Sequence, residues 1–272
     1  MAGNVALSQV LSYARDLKAA YAASLTREQE LVDANDRLRK GYQQSLHYAV
    51  DLKKTYRHLQ GAILQSLLGL ANALEAKDAY TRGHSTRVAG VARQMALGAG
   101  LSRGAAETVA QAGLLHDLGK IGVPESILTK SGALTPEEWQ IMRRHPVTSA
   151  QIVAPLEFFD QGAIILRHHH ERCDGSGYPD GLRGDLIPFG ARIVAIADVY
   201  DALTSDRPYR PRRPHTEAVR QLLEEKGRTL DPRLVALFLD LFGADGPAGH
   251  EASHEAGWAY GRDGSGPSDR PI

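Results

Sequence analysis

A heptad register runs unbroken from Leu7 to Ile63, and no proline occurs before Pro124. Its a positions are Leu7, Ala14, Tyr21, Glu28, Asn35, Tyr42, Ala49, Tyr56 and Ile63; its d positions are Val10, Leu17, Ser24, Leu31, Leu38, Ser45, Leu52 and Leu59. An apolar repeat of about 3.5 residues keeps one seam of a helix turned towards a partner helix. The pattern therefore predicts a single long helix over residues 1–65 that pairs as a parallel two-stranded coiled coil, a homodimer. Glu28, Asn35 and Ser45 weaken the seam, and an asparagine at an a position favours two strands in fixed register. The competing reading is an amphipathic helix folded back on the rest of the chain.

Downstream, helix signals are punctuated clearly. Thr135-Pro136-Glu137-Glu138 joins a capping box to proline at the first helical position, which predicts a helix carrying Trp139 and Met142 inward. Pro188 opens another, with Ile193, Ile196 and Ala197 ahead of Asp198, and Asp231-Pro232 caps a last one over residues 234–241. No useful stretch alternates with period two, so the fold class is all-α: a helical bundle over residues 66–242 behind the long helix. From Gly243 on, Gly, Ser, Pro, Asp and His dominate, which predicts a disordered tail over residues 243–272.

Charge narrows the partners. Lys plus Arg number 32 and Asp plus Glu number 32, so there is no general electrostatic footprint for duplex nucleic acid or an anionic membrane. No apolar run reaches membrane-spanning length, and the first residues lack a basic start followed by an apolar segment; the expectation is a cytoplasmic chain without membrane insertion. The single cysteine, Cys173, excludes an internal disulfide and fits a reducing compartment.

The chemistry-bearing residues are spread along the bundle. His116-Asp117 lies in the run Ala112-Gly-Leu-Leu-His-Asp-Leu-Gly-Lys120. His84 precedes it; His145, His169-His170 and Asp198 follow, with the turn-rich loop Asp174-Gly-Ser-Gly-Tyr-Pro179 between the last two. Adjacent His and Asp on a helix point about a third of a turn apart, so other helices must complete any ligand ring. Every one of these groups offers nitrogen or oxygen and none a thiolate, which argues against a structural cysteine-type zinc site and towards iron, manganese or a related divalent ion.

Taken together, His84, the His116-Asp117 doublet with Lys120, His145, the string from His169 to Pro179 and the segment Ala197–Arg210 resemble the HD-GYP family, a branch of the HD-domain metal-dependent phosphohydrolases. The resemblance runs from about Leu70 to about Phe242. It implies an HD-type helical bundle that hydrolyses cyclic di-GMP to linear di-GMP or on to GMP, using a hydroxide bridged between two metals. It implies that Asp117 bridges the two ions, that His84, His116 and Asp198 complete one site, and that His145, His169 and His170 complete the other. It further implies that Lys120 holds a substrate phosphate, that Arg207 and Arg210 contact phosphates, and that Gly177, Tyr178 and Pro179 line the substrate groove and dock diguanylate cyclase partners. Catalysis then rests on Asp117 and Lys120.

Some relatives carry a glutamate four residues before the first histidine for a third metal. Tyr80 stands there in this chain, so two ions per chain are expected; Asp78 and Glu75 read as helix-surface carboxylates or as groups behind the ligands. Gly119 reads as ending the helix before Lys120. Cys173 replaces a common tryptophan and reads as packing, and Ser149 replaces a common glycine, a small-for-small change given no role. The same chemistry on another cyclic dinucleotide is the alternative function. A non-catalytic binding or scaffold protein is the third reading, disfavoured because His116, Asp117 and Lys120 are all present.

Overall fold

The structure is a computed structural model that describes residues 2–77, 83–206, 211–243 and 246–247, with side chains described from Leu7 onward. Asp78, Tyr80, Arg207, Arg210 and nearly all of the tail lie outside the described residues. Among the described residues ten α-helices run in order: α1 (Ala2–Glu75), α2 (His84–Gly98), α3 (Arg103–Leu115), α4 (Glu125–Leu128), α5 (Pro136–Met142), α6 (His145–Val153), α7 (Asp160–His168), α8 (Phe189–Thr204), α9 (His215–Glu225) and α10 (Pro232–Phe242). Among the described residues there is no β-strand, only two isolated bridges, Asp174 to Arg183 and Lys226 to Leu230. The protein is all-α.

The chain divides into two units, Met1–Ile63 and Leu64–Ile272. In the first, every residue from Leu7 to Leu59 is exposed in the single chain. The heptad side chains Val10, Leu17, Leu31, Leu38 and Leu52 therefore form an uncovered apolar stripe.

The second unit is built on close helix contacts. α2 packs on α3, α8 and α10, while α6 packs on α7 and on a short 3₁₀ turn, Leu118–Gly122. Alanines make the approach possible: α2 buries Val88, Ala89, Ala92, Met95 and Ala96 on one face. A Cβ on Gly113 would come within 3.1 Å of the Ala89 Cα, so α3 meets α2 nearly backbone to backbone at that point. α8 buries Ile193, Ile196 and Ala197, and α10 closes the core with Leu234, Val235 and Phe238. Deleting one such buried side chain to alanine typically costs about 2–5 kcal/mol. This packing brings the start of α2, the end of α3, the start of α6, the end of α7 and the middle of α8 to one place.

Local capping follows the predicted chemistry. Thr135 accepts from the Glu138 N–H and the Glu138 carboxylate accepts from the Thr135 N–H, the reciprocal cap expected. Asp231 accepts from the N–H groups of Arg233 and Leu234 at the start of α10. Two expectations fail. α5 buries none of its residues fully and Trp139 is 46 % exposed; the cap sets where a two-turn helix begins but not which side meets the core. Gly119 does not end a helix: α3 stops at Leu115 and Gly119 lies inside the 3₁₀ turn. A Cβ there would sit 2.0 Å from the His145 carbonyl oxygen, so the glycine serves the close approach of that turn to α6.

Candidate metal centre

Helix ends place most of the predicted ligands. His84 is the first residue of α2 and His145 the first of α6; His116 and Asp117 follow α3, and His169 and His170 follow α7. Asp198 differs in lying in the middle of a helix, α8. The His-Asp doublet is thus not helical throughout, since Asp117 has left the helix at φ −92°, ψ 0°.

The helix ends also orient the rings. A terminating helix leaves its last carbonyls without intrahelical partners. The Nδ1 of His116 lies 2.7 Å from the Gly113 carbonyl, that of His145 2.8 Å from the Met142 carbonyl, and that of His169 2.7 Å from the Leu166 carbonyl. A carbonyl can only accept, so Nδ1 carries the proton and Nε2 keeps its lone pair. His84 differs: its Nδ1 meets the Asp201 carboxylate at 2.7 Å.

The Nε2 atoms then face one another. Those of His84 and His116 are 3.3 Å apart, and those of His145 and His169 are 3.4 Å apart. Asp198 Oδ1 lies 3.3 Å from His84 Nε2 and 4.0 Å from His116 Nε2. Asp117 stands between the halves, with Oδ2 3.5 Å from His116 Nε2 and Oδ1 3.5 Å from His145 Nε2. The ligand atoms of His84, His116 and Asp117 lie within 4.8 Å of one another, and so do those of His145, His169 and His170. Imidazole nitrogens and carboxylate oxygens converging this closely fit a cation, which makes these two His/Asp clusters suited to metal ions.

Electrostatics agree with that fit. Burial holds the pKa of His145 and His169 down, and it pushes His170 down to about 3, so these rings stay neutral and keep their lone pairs available. Burial also opposes charge on Asp117, but the Lys120 ammonium outweighs it and keeps the carboxyl well below the usual range. Asp198 is likewise depressed, burial being overcome by His84 and His116. Burial resists protonation of His84, yet Asp198 and Asp201 overcome it and raise its pKa to about 10. Without a metal, a proton takes the place of a cation at His84.

Lys120 Nζ donates to Asp117 Oδ2 at 2.6 Å from the 3₁₀ turn, beside the ligands. Tyr178 lies against His170 with ring centroids 4.9 Å apart and under the guanidinium of Arg143 at 5.3 Å. Burial, with the charges of Asp117 and Asp198, raises the Tyr178 pKa, so the phenol is neutral. Gly177 leaves no room for a side chain, since a Cβ would be 2.4 Å from the Arg172 nitrogen. Pro179 follows directly. The loop is held from inside by Glu171, whose carboxylate accepts from the N–H groups of Asp180, Gly181 and Leu182 at 2.7–3.0 Å. Beyond His170 and Asp198 a cavity of about 290 Å³ opens, bordered by Arg172, Gln221, Glu225 and Arg228. Cys173 is half-buried against the core and burial raises its pKa, which leaves it a packing residue.

The structure brings together all seven predicted ligands and Lys120; Arg207 and Arg210 lie outside the described residues. Three supporting groups were not anticipated. Asp201 orients His84, and its spacing of one helical turn from Asp198 was a readable signal. Glu171 anchors the loop. Ser149, read as a small-for-small change, accepts from the Gly119 N–H at 2.7 Å and donates to the His116 carbonyl at 2.8 Å, tying α6, which carries His145, to the stretch that carries His116, Asp117 and Lys120.

Residues 69–234 match the HD domain family. The chain belongs to that family, and its His116-Asp117 and Gly177-Tyr178-Pro179 motifs put it in the HD-GYP branch. It is similar to the cyclic di-GMP phosphodiesterase response regulator RpfG of Xanthomonas campestris pv. campestris, at 44 % identity over 177 residues, 64 % of this chain and 47 % of that protein. It is also similar to the 3'3'-cGAMP-specific phosphodiesterase 2 of Vibrio cholerae serotype O1, at 36 % identity over 222 residues, 78 % of this chain and 41 % of that protein. The chain thus spans less than half the length of these two relatives. Its fold resembles the crystal structure of a cyclic GMP-AMP specific phosphodiesterase of V. cholerae (V-cGAP3), with TM-score 0.50 and 18 % identity over 64 % of this chain and 47 % of that one. Among the described residues no helix is long and apolar enough to cross a membrane.

Proposed function

We propose that the chain is a metal-dependent phosphodiesterase of cyclic dinucleotides and that cyclic di-GMP is its substrate, opened to linear di-GMP, with GMP as the product if the second bond is also cut. The convergence of six or more nitrogen and oxygen ligands on two adjacent points, with Lys120 beside them, carries the reading. Two divalent ions, iron or manganese by the ligand chemistry, supply positive charge that polarises a phosphodiester and activates water. His84, His116 and Asp198 would hold one ion and His145, His169 and His170 the other, with the Asp117 carboxylate placed between the two sets.

The chain's own groups supply the rest. An ammonium has three donors, so Lys120 can keep its bond to Asp117 and still direct two at a phosphate, where negative charge grows as the bond breaks. Arg207 and Arg210 are proposed as further phosphate contacts. The neutral Tyr178 presents a ring face and a hydroxyl beside His170, Gly177 and Pro179 shape the groove, and the adjoining cavity receives the remainder of the nucleotide. The greater identity to a relative named for cyclic di-GMP, 44 % against 36 %, favours guanine in both positions. The cGAMP reading has its own support, because that relative matches more of the chain, 78 % against 64 %.

The exposed stripe on α1 supports a parallel homodimer through the coiled coil, and the loop at Gly177–Pro179 is the proposed docking surface for a diguanylate cyclase. A cytoplasmic setting accords with the single cysteine. The function is tested on protein purified without oxygen: metal content is measured and products from cyclic di-GMP and 3'3'-cGAMP are resolved by chromatography. Two ions per chain and faster turnover of cyclic di-GMP are expected. Preferential cGAMP cleavage would reassign the substrate, and no cleavage of either would overturn the activity.

A further inference from the structure

We propose that Glu75, the last residue of α1, is a positioning residue for the metal ligand His84, so that filling the centre and the conformation of the last turn of α1 are linked. The Glu75 carboxylate accepts from the Gly83 N–H at 2.9 Å through Oε2 and from the Ser85 N–H at 2.8 Å through Oε1. His84 lies between these two amides, so its backbone is held on both sides by one carboxylate. Gly83, at φ 73°, offers α2 no side-chain cap. Glu75 therefore takes up amides left open at the start of α2 and puts a negative charge at the positive end of the helix. Asp201 holds the His84 ring at Nδ1 from the other side. Backbone and ring thus have separate anchors on different helices.

A second observation points the same way. A crevice of about 30 Å³ is walled by Ala71, Leu74 and Glu75 on one side and by Asp117 and Lys120 on another. The final turn of α1 consequently borders both the ligand His84 and the proposed bridging carboxylate. Linkage is reciprocal: if Glu75 must be in place for His84 to bind an ion, an ion at His84 holds Glu75 in place. This rests on the metal-centre reading and not on the identity of the substrate.

The test uses the full chain without substrate. Glu75→Gln keeps the side-chain shape but removes the charge and one acceptor, and Glu75→Ala removes the group. Manganese titration followed by metal analysis should show the ion held by His84, His116 and Asp198 weakened by about 10–100-fold while the ion at His145, His169 and His170 is retained. In the wild type, metal should slow hydrogen exchange at the Gly83 and Ser85 amides, and this protection should vanish in both variants. Asp231→Ala, which removes the cap of α10, is the control for general destabilisation and should weaken neither ion selectively. Wild-type affinity for both ions in the Glu75 variants, equal loss of both ions in step with the control, or metal protection that persists without Glu75 would each overturn the proposal. Failure to cleave a cyclic dinucleotide would leave these results standing.

Discussion

Asp201→Asn probes the ring anchor of His84 with little change in volume. Asp201 is buried and accepts from His84 Nδ1 at 2.7 Å, from Arg87 Nε at 2.6 Å and from the Ser205 hydroxyl at 3.2 Å. A hydrogen bond to a charged group contributes about 1.5–3 kcal/mol. The Arg87 side chain is 41 % exposed, so its share is screened to about 1 kcal/mol or less. Asparagine keeps an acceptor for His84, which puts the expected loss near 2 kcal/mol and the fall in Tm at roughly 4–8 °C for a unit of this size. Metal affinity at the His84 half should fall by about 10–100-fold. The pH dependence has a defined sign in the metal-free protein. The folded His84 has its pKa raised from 6.5 to about 10, so its contribution to stability is complete below 6.5 and is lost as pH rises through 10. Asp201 has its own pKa lowered, so it is ionised throughout this range. The gap in Tm between variant and wild type should therefore be widest below about pH 6.5 and narrow as pH rises towards 10. Melting curves with a chelator across that range, with calorimetric manganese titration, provide the measurement. A gap that stays constant up to pH 10, together with unaltered metal affinity, would refute the assigned role.

His116→Ala or Asp117→Ala should remove both metal and turnover, whereas Lys120→Ala should keep both ions and lower turnover by about 10²–10³-fold, as metal analysis beside steady-state kinetics will show. Ser149→Ala strands the buried Gly119 N–H and the His116 carbonyl and should cost about 2–3 kcal/mol in chemical denaturation. Light scattering should find a dimer at micromolar concentration for the full chain, and Asn35→Leu should strengthen the coil while relaxing its strand number; a monomeric wild type would rule out the coiled-coil dimer.

The long helix and the all-α class were legible because helical periodicity and the absence of proline are local properties. So were the starts of α5 and α10, since a capping side chain reads only its own next few amides, and that of α8, which Pro188 immediately precedes. The seven candidate ligands were legible only as a set through the family resemblance, and the fold brings them together although His84 and Asp198 are more than a hundred residues apart. Which face of α5 is buried was not, because a short helix with a correct cap can rest either side on the core, and Trp139 lies outside.

What tertiary structure alone decided is how the histidines are aimed. The sequence determined that His116, His145 and His169 exist; packing determined that each ends near an open carbonyl of the preceding helix, which assigns the proton to Nδ1 and leaves Nε2 for a cation. The same holds for Ser149, Asp201, Glu171 and Glu75, ordinary polar residues whose roles come from partners between 8 and 117 positions away. Periodicity and capping act within a few turns of chain, whereas a hydrogen bond across helices depends on where the core lets those helices meet, and that is set by the summed packing of residues such as Gly113 against Ala89 and Gly119 against His145.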